Sequence, residues 1–74
     1  MIIKYLILTN GEEIDGGYFT VNDLSTQRKI VRKAKEISAL NFLKHRTRET
    51  DEGYILSFPG YSLEMLIDIE YKSR

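Results

Sequence analysis

The sequence predicts an α+β domain in the order β-β-α-β-β-β, a mostly antiparallel sheet of four to five strands with one amphipathic helix packed on one face. Three observations carry this. Only one stretch, residues 23–38 (DLSTQRKIVRKAKEIS), has an apolar face at helical spacing. Residues 61–71 alternate apolar and polar side chains at the period of a strand. Two dipeptides between apolar runs, Asn10-Gly11 and Pro59-Gly60, are turn signals. With 74 residues the chain reads as a single domain, residues 1–74.

The first strand is residues 2–9, IIKYLILT, with Lys4 its only charge. It is apolar on both sides, which places it centrally, beside the last strand. Asn and Gly tolerate positive φ, so Asn10-Gly11 predicts a type I′ hairpin turn. That turn would pair Thr9 with Glu12, Ile7 with Ile14 and Leu6 with Asp15. The return strand meets Gly16-Gly17, an expected bulge or break, and resumes through Tyr18, Phe19 and Val21. Asn22 or Asp23 then suits the helix N-cap, with Ser25 as the alternative.

In the helix, Leu24, Gln27, Ile30, Val31, Ala34 and Ile37 share one side. Arg28, Lys29, Arg32, Lys33, Lys35 and Glu36 share the other. Ala39 and Leu40 break the pattern, so the helix should end near Ser38. Residues 40–50 read as a strand rich in β-branched and aromatic side chains. Gly53, after Asp51 and Glu52, fits the left-handed position of a three-residue hairpin loop. That loop would turn Arg46 and Arg48 to the same face as Leu56 and Phe58. A four-residue loop would turn Leu43, His45 and Thr47 there instead, and both readings stand. Residues 54–58 form the next strand, and Pro59-Gly60 has the sequence of a type II turn. Pairing Phe58 with Tyr61, Leu56 with Leu63 and Tyr54 with Met65 puts six apolar residues on one face. The expected core is Leu56, Phe58, Leu63, Met65 and Ile67, with Ile30, Ala34 and Ile37 from the helix.

One helix covers one face. The opposite face would carry Ile2, Leu6, Leu8, Ile55 and Leu66 among Glu13, Asp15, Glu64 and Asp68, more apolar surface than a small isolated domain usually exposes in one place. Formal net charge is zero, yet it is unevenly spread. Residues 1–26 carry −3, residues 27–48 carry +7 and residues 49–74 carry −4. There is no cysteine, which fits a reducing compartment and a cytoplasmic protein. No apolar run is long enough to span a membrane, and the N-terminus lacks a signal-peptide pattern.

Motifs for catalysis and cofactors are missing. One histidine and no cysteine leave no clustered metal ligands. His45 sits between Lys44 and Arg46, which disfavours a bound cation and makes it an ordinary strand residue, with a contact or switch residue as the alternative. The segment from Gly11 to Gly17 has no Lys-Ser/Thr and is surrounded by carboxylates, so it reads as turn and bulge, not as a phosphate cradle. Glu12 and Glu13 alternate faces on a strand and cannot serve one substrate together. No strand-Ser-helix elbow supports a triad. One core with one covering helix leaves little expected room for a pocket.

The reading is therefore a small non-catalytic protein-binding module, a homodimer or a regulator or inhibitor of another protein, of the kind phages and other mobile elements carry. No cofactor, metal, membrane or small-molecule substrate is expected. The interface would be Ile2, Leu6, Leu8, Ile55 and Leu66. The alternative is a nucleic-acid-binding protein that contacts phosphates through Arg28, Lys29, Arg32, Lys33 and Lys35 of the helix and Lys44, Arg46 and Arg48 of the following strand.

Overall fold

Five strands and one helix follow the predicted order in the computed structural model, which describes residues 1–69. They are β1 (Ile2–Thr9), β2 (Glu12–Thr20), α1 (Gln27–Ile37), β3 (Arg46–Glu49), β4 (Gly53–Phe58) and β5 (Leu63–Asp68). The strands form one antiparallel sheet in the order β2-β1-β5-β4-β3. The β2-to-β3 connection joins opposite edges of the sheet, and α1 lies in that connection. Ile30, Val31 and Ala34 of α1 join Ile3, Tyr5, Ile7, Phe19, Leu43, Leu56, Phe58, Met65 and Ile67 in one buried cluster. Leu63 is only half-buried at its edge. The alternation expected at Glu70 and Tyr71 lies outside the described residues.

The first hairpin turns where expected, with φ of 51° at Asn10 and 83° at Gly11, and Thr9 faces Glu12. Beyond that pair the register departs from the expectation. Leu8 faces Glu13 and Ile7 faces Asp15, so Ile14 is the extra residue of a bulge. The glycines are not the break: β2 runs straight through them. They are needed for clearance. A Cβ at Gly17 would stand 3.1 Å from Tyr5 Oη, and one at Gly16 would stand 3.0 Å from Leu6 Cδ2. The bulge brings Phe19 opposite Ile3 and into the core against Tyr5, ring centroids 6.1 Å apart. Tyr18 faces outward.

The helix starts later than its pattern suggested. Asn22 and Asp23 do not cap it. Asn22 closes its own turn: its Oδ1 accepts from Leu24 N–H (3.0 Å) and its carbonyl from Ser25 N–H (2.9 Å). Asp23 pairs with the amino group of Met1 at 2.9 Å. Thr26 is the N-cap, its Oγ1 accepting from Lys29 N–H. Leu24 therefore precedes the helix and is 90% exposed. Ile37, expected in the core, is 45% exposed in the last turn. The C-terminus ends as expected, at Ser38. Leu40 N–H reaches Lys35 O (2.8 Å) and Ala39 N–H reaches Glu36 O (3.1 Å), a Schellman closure with Ala39 at φ 60°.

Residues 39–45 are not strand; only Arg46–Glu49 pairs, with β4. Thr47 faces Leu56 and Glu49 faces Tyr54, so the even, four-residue loop is the one adopted. Thr50 holds it: its Oγ1 accepts from Gly53 N–H (3.0 Å) and its own N–H donates to Gly53 O (2.8 Å). Gly53 is not left-handed. It is required because a Cβ there would run into the carbonyl oxygen of Ile67 on β5. The last hairpin has its type II turn, with Gly60 at φ 86° and Tyr61 N–H bonded to Phe58 O (3.0 Å). A second tight turn follows, Leu63 N–H to Tyr61 O at 2.7 Å. The ladder is thereby shifted by two residues from the expected one, to Phe58–Leu63 and Leu56–Met65. A two-residue shift preserves the faces, so Met65 and Ile67 still point inward.

Candidate functional site

Side chains alternate along the strands, so the ladder register defines the face that α1 leaves uncovered. Its central row runs across all five strands as Gly16, Leu6, Leu66, Ile55 and Arg48. One neighbouring row is Glu13, Leu8, Glu64, Ser57 and Arg46. The other is Tyr18, Lys4, Asp68 and Gly53. Leu6, Leu66 and Ile55 are consecutive neighbours in register, with Leu8 beside them. All are half-buried. Ile2 shares the face but stands beyond the Lys4–Asp68 row. Asp15, expected here, is moved to the helix side by the bulge at Ile14.

The eight basic residues do not form one surface. Arg46 and Arg48 lie on the uncovered face, because the even loop puts Thr47 and Glu49 on the helix side. Lys44 precedes β3 and is exposed. Lys33 donates to the carbonyl of Thr20 at 2.6 Å, fastening the helix to the end of β2. Lys29 borders a shallow groove with Val21 and Glu36. Arg28, Arg32 and Lys35 line a cleft between α1 and the segment around β3.

That cleft, about 660 Å³, is larger than a sheet with one helix was expected to leave. His45 and Thr47 form its strand-side wall, Thr26 and Gln27 its end at the helix N-terminus, and Val31 and Asn41 complete it. Lys35 forms the inner part. Its pattern position was the solvent side of the helix, yet it is only 8% exposed. It follows Val31 by one turn, at the margin of the apolar face, where the stem packs and the amine reaches inward. Lys35 Nζ donates to Leu43 O at 2.6 Å and lies 2.9 Å from His45 Nδ1. With an ammonium as donor, Nδ1 is the acceptor and the imidazole proton belongs on Nε2. Burial, and then the neighbouring Lys35 charge, hold the His45 pKa below its ordinary value.

The sequence alone does not bring Lys35 and His45 together, because it accommodates both loop registers and only the even loop puts His45 on the helix side. Thr26, Gln27, Asn41 and Thr47 carried no signal of their own. Among the described residues no three His, Cys, Asp or Glu side chains cluster as metal ligands, and no helix is long and apolar enough to cross a membrane. Comparisons with protein-family models, with curated proteins and with solved structures find no match.

Proposed function

We propose that this chain is a small non-catalytic protein-binding module of the cytoplasm that meets its partner, a second copy or another protein it regulates, through the uncovered face of the sheet. The observation that carries the reading is the in-register row Leu6–Leu66–Ile55, an apolar strip on the three inner strands with no element among the described residues over it. Apolar surface centred on a sheet and rimmed by charge has the anatomy of a protein interface: an apolar core within a polar rim. Glu13, Glu64 and Arg46 supply such a rim on one side, and Lys4 and Asp68 on the other. The nucleic-acid alternative has less support, since its eight cations are divided between the two faces of the sheet.

Leu66→Lys tests the reading. A charge in the middle of the strip must be desolvated on contact, at a cost of several kcal/mol unless it is paired. The isolated fold, with that face open to water, should keep its circular dichroism. Sedimentation of the wild type should reveal self-association that Leu66→Lys abolishes, or capture of a partner that it prevents. Self-association and capture both insensitive to Leu66→Lys and to Leu6→Glu would contradict the reading.

A further inference from the structure

Three features of the α1–β3 cleft oppose local stability. Arg28 and Arg32 are like charges at i and i+4 on one helix. Arg28 also stands in the first turn, which has no acidic residue to answer the positive end of the helix dipole. Lys35 is a buried cation, and among the described residues no carboxylate pairs with it. All three line one cavity together with His45, and among the described residues no Asp or Glu contributes to its wall. Departures from local rules that converge on one place mark a site. A single oxyanion in the cleft would relieve all three.

We propose that the cleft binds the phosphate group of a small organic phosphate. The donors suit that group. Arg28 and Arg32 offer forked guanidinium groups that bond phosphate oxygens in pairs. Lys35 uses two of its three ammonium protons on Leu43 O and His45 Nδ1, which leaves one for a ligand. His45 retains its Nε2 proton, and the hydroxyl groups of Thr26 and Thr47 are neutral donors at either end. A carboxylate has two oxygens to place among these; a phosphomonoester has three and carries nearly twice the charge. The volume of about 660 Å³ exceeds what a bare phosphate fills and falls in the range of small-molecule pockets. Val31 supplies an apolar wall for the organic part and Asn41 an amide. A nucleic-acid strand is disfavoured as the source of the phosphate, because Arg46 and Arg48 are on the other side of β3 and Lys33 is bonded to Thr20, so among the described residues only Lys29, beside Arg32 in the adjoining groove, continues the basic lining. The cleft and the apolar strip are on opposite faces of the sheet, so the two proposals stand or fall separately.

His45 is the one histidine in the chain, so its ring C–H resonance reports the cleft without assignment ambiguity. Titrations with ribose 5-phosphate and adenosine 5′-monophosphate should shift it saturably. Ribose, adenosine and sodium chloride at matched ionic strength should not. The double variant Arg28→Gln/Arg32→Gln should weaken binding about tenfold or more while circular dichroism stays unchanged. Lys35→Met, should it fold poorly, is replaced by the double variant as the deciding case. The proposal is overturned if the shift is linear and reproduced by chloride, if the double variant binds as the wild type does, if inorganic phosphate binds while both organic phosphates fail, or if a short oligonucleotide binds more tightly than any of them.

Discussion

Leu56→Ala and Leu66→Ala make the same chemical change on adjacent strands and on opposite faces. Leu56 is 0% exposed, opposite Met65 and within the cluster that includes Ile30 and Ala34 of the helix. Truncating a fully buried leucine costs about 2–5 kcal/mol, the lost transfer energy plus a cavity. At about 0.05–0.15 kcal/mol per residue, a chain of 74 residues has only about 4–11 kcal/mol to lose. A loss near 3 kcal/mol corresponds to a fall in Tm on the order of 10–20 °C for a domain of this size. Leu66 is half-buried and has water on one side, so no closed cavity forms, and its truncation should cost about 1 kcal/mol or less. Urea denaturation at a concentration where the chain is monomeric gives both numbers, provided m is unchanged. Equal losses, or a larger loss at Leu66, would refute the assignment of faces and with it the apolar strip.

Three further outcomes follow from particular contacts. Gly53→Ala should destabilise by about 2 kcal/mol or more, since its Cβ meets the Ile67 carbonyl rather than a side chain that can move; a Tm within a degree or so of wild type would show that β4 and β5 can separate there. Ala39→Gly should stabilise by about 0.5–1 kcal/mol, because Ala39 holds a left-handed φ of 60° that glycine adopts without strain; thermal unfolding measures it, and a loss would mean the Schellman closure does not form. His45 should titrate below 6.5, and Lys35→Met should move it upward by removing the second of the two causes that lower it. The unfolded chain then binds the proton first, so His45 favours folding above about pH 6.5, and that contribution falls away as pH drops toward the folded-state pKa. A ring resonance titrating at or above 6.5 in the wild type would remove the Lys35–His45 contact from the account.

What was legible in the sequence was local. Asn10-Gly11 and Pro59-Gly60 turn because their φ values demand it, and the alternation through Met65 and Ile67 has only one good way to face a core. What was not legible was decided by neighbours distant in the chain. The bulge at Ile14 brings Phe19 to Tyr5, and nothing within the β2 sequence chooses Phe19 over Tyr18. Asn22 and Asp23 have the chemistry of an N-cap but spend it on their own turn and on Met1. Gly53 looks like a left-handed loop glycine, and its real constraint is the Ile67 backbone on the next strand. Strand parity was enough to put Leu6, Leu66 and Ile55 together on the uncovered face, since it survives a two-residue shift. The cleft was hidden by the opposite circumstance: a one-residue difference in one loop moves His45 and Thr47 across the sheet and exchanges them with Arg46 and Arg48.

The proposed protein contact is the sheet face, not the helix. Methyl resonances read this directly: Leu6, Leu8, Leu66 and Ile55 report the strip, while Val31 and Ile30 report the helix side. On raising the concentration from micromolar to millimolar, or on adding a captured partner, the strip methyls should shift and broaden together while Ile30 and Val31 stay fixed. Strip methyls that remain unmoved under both conditions, with the changes confined to Val31 and the arginine side chains of α1, would contradict it.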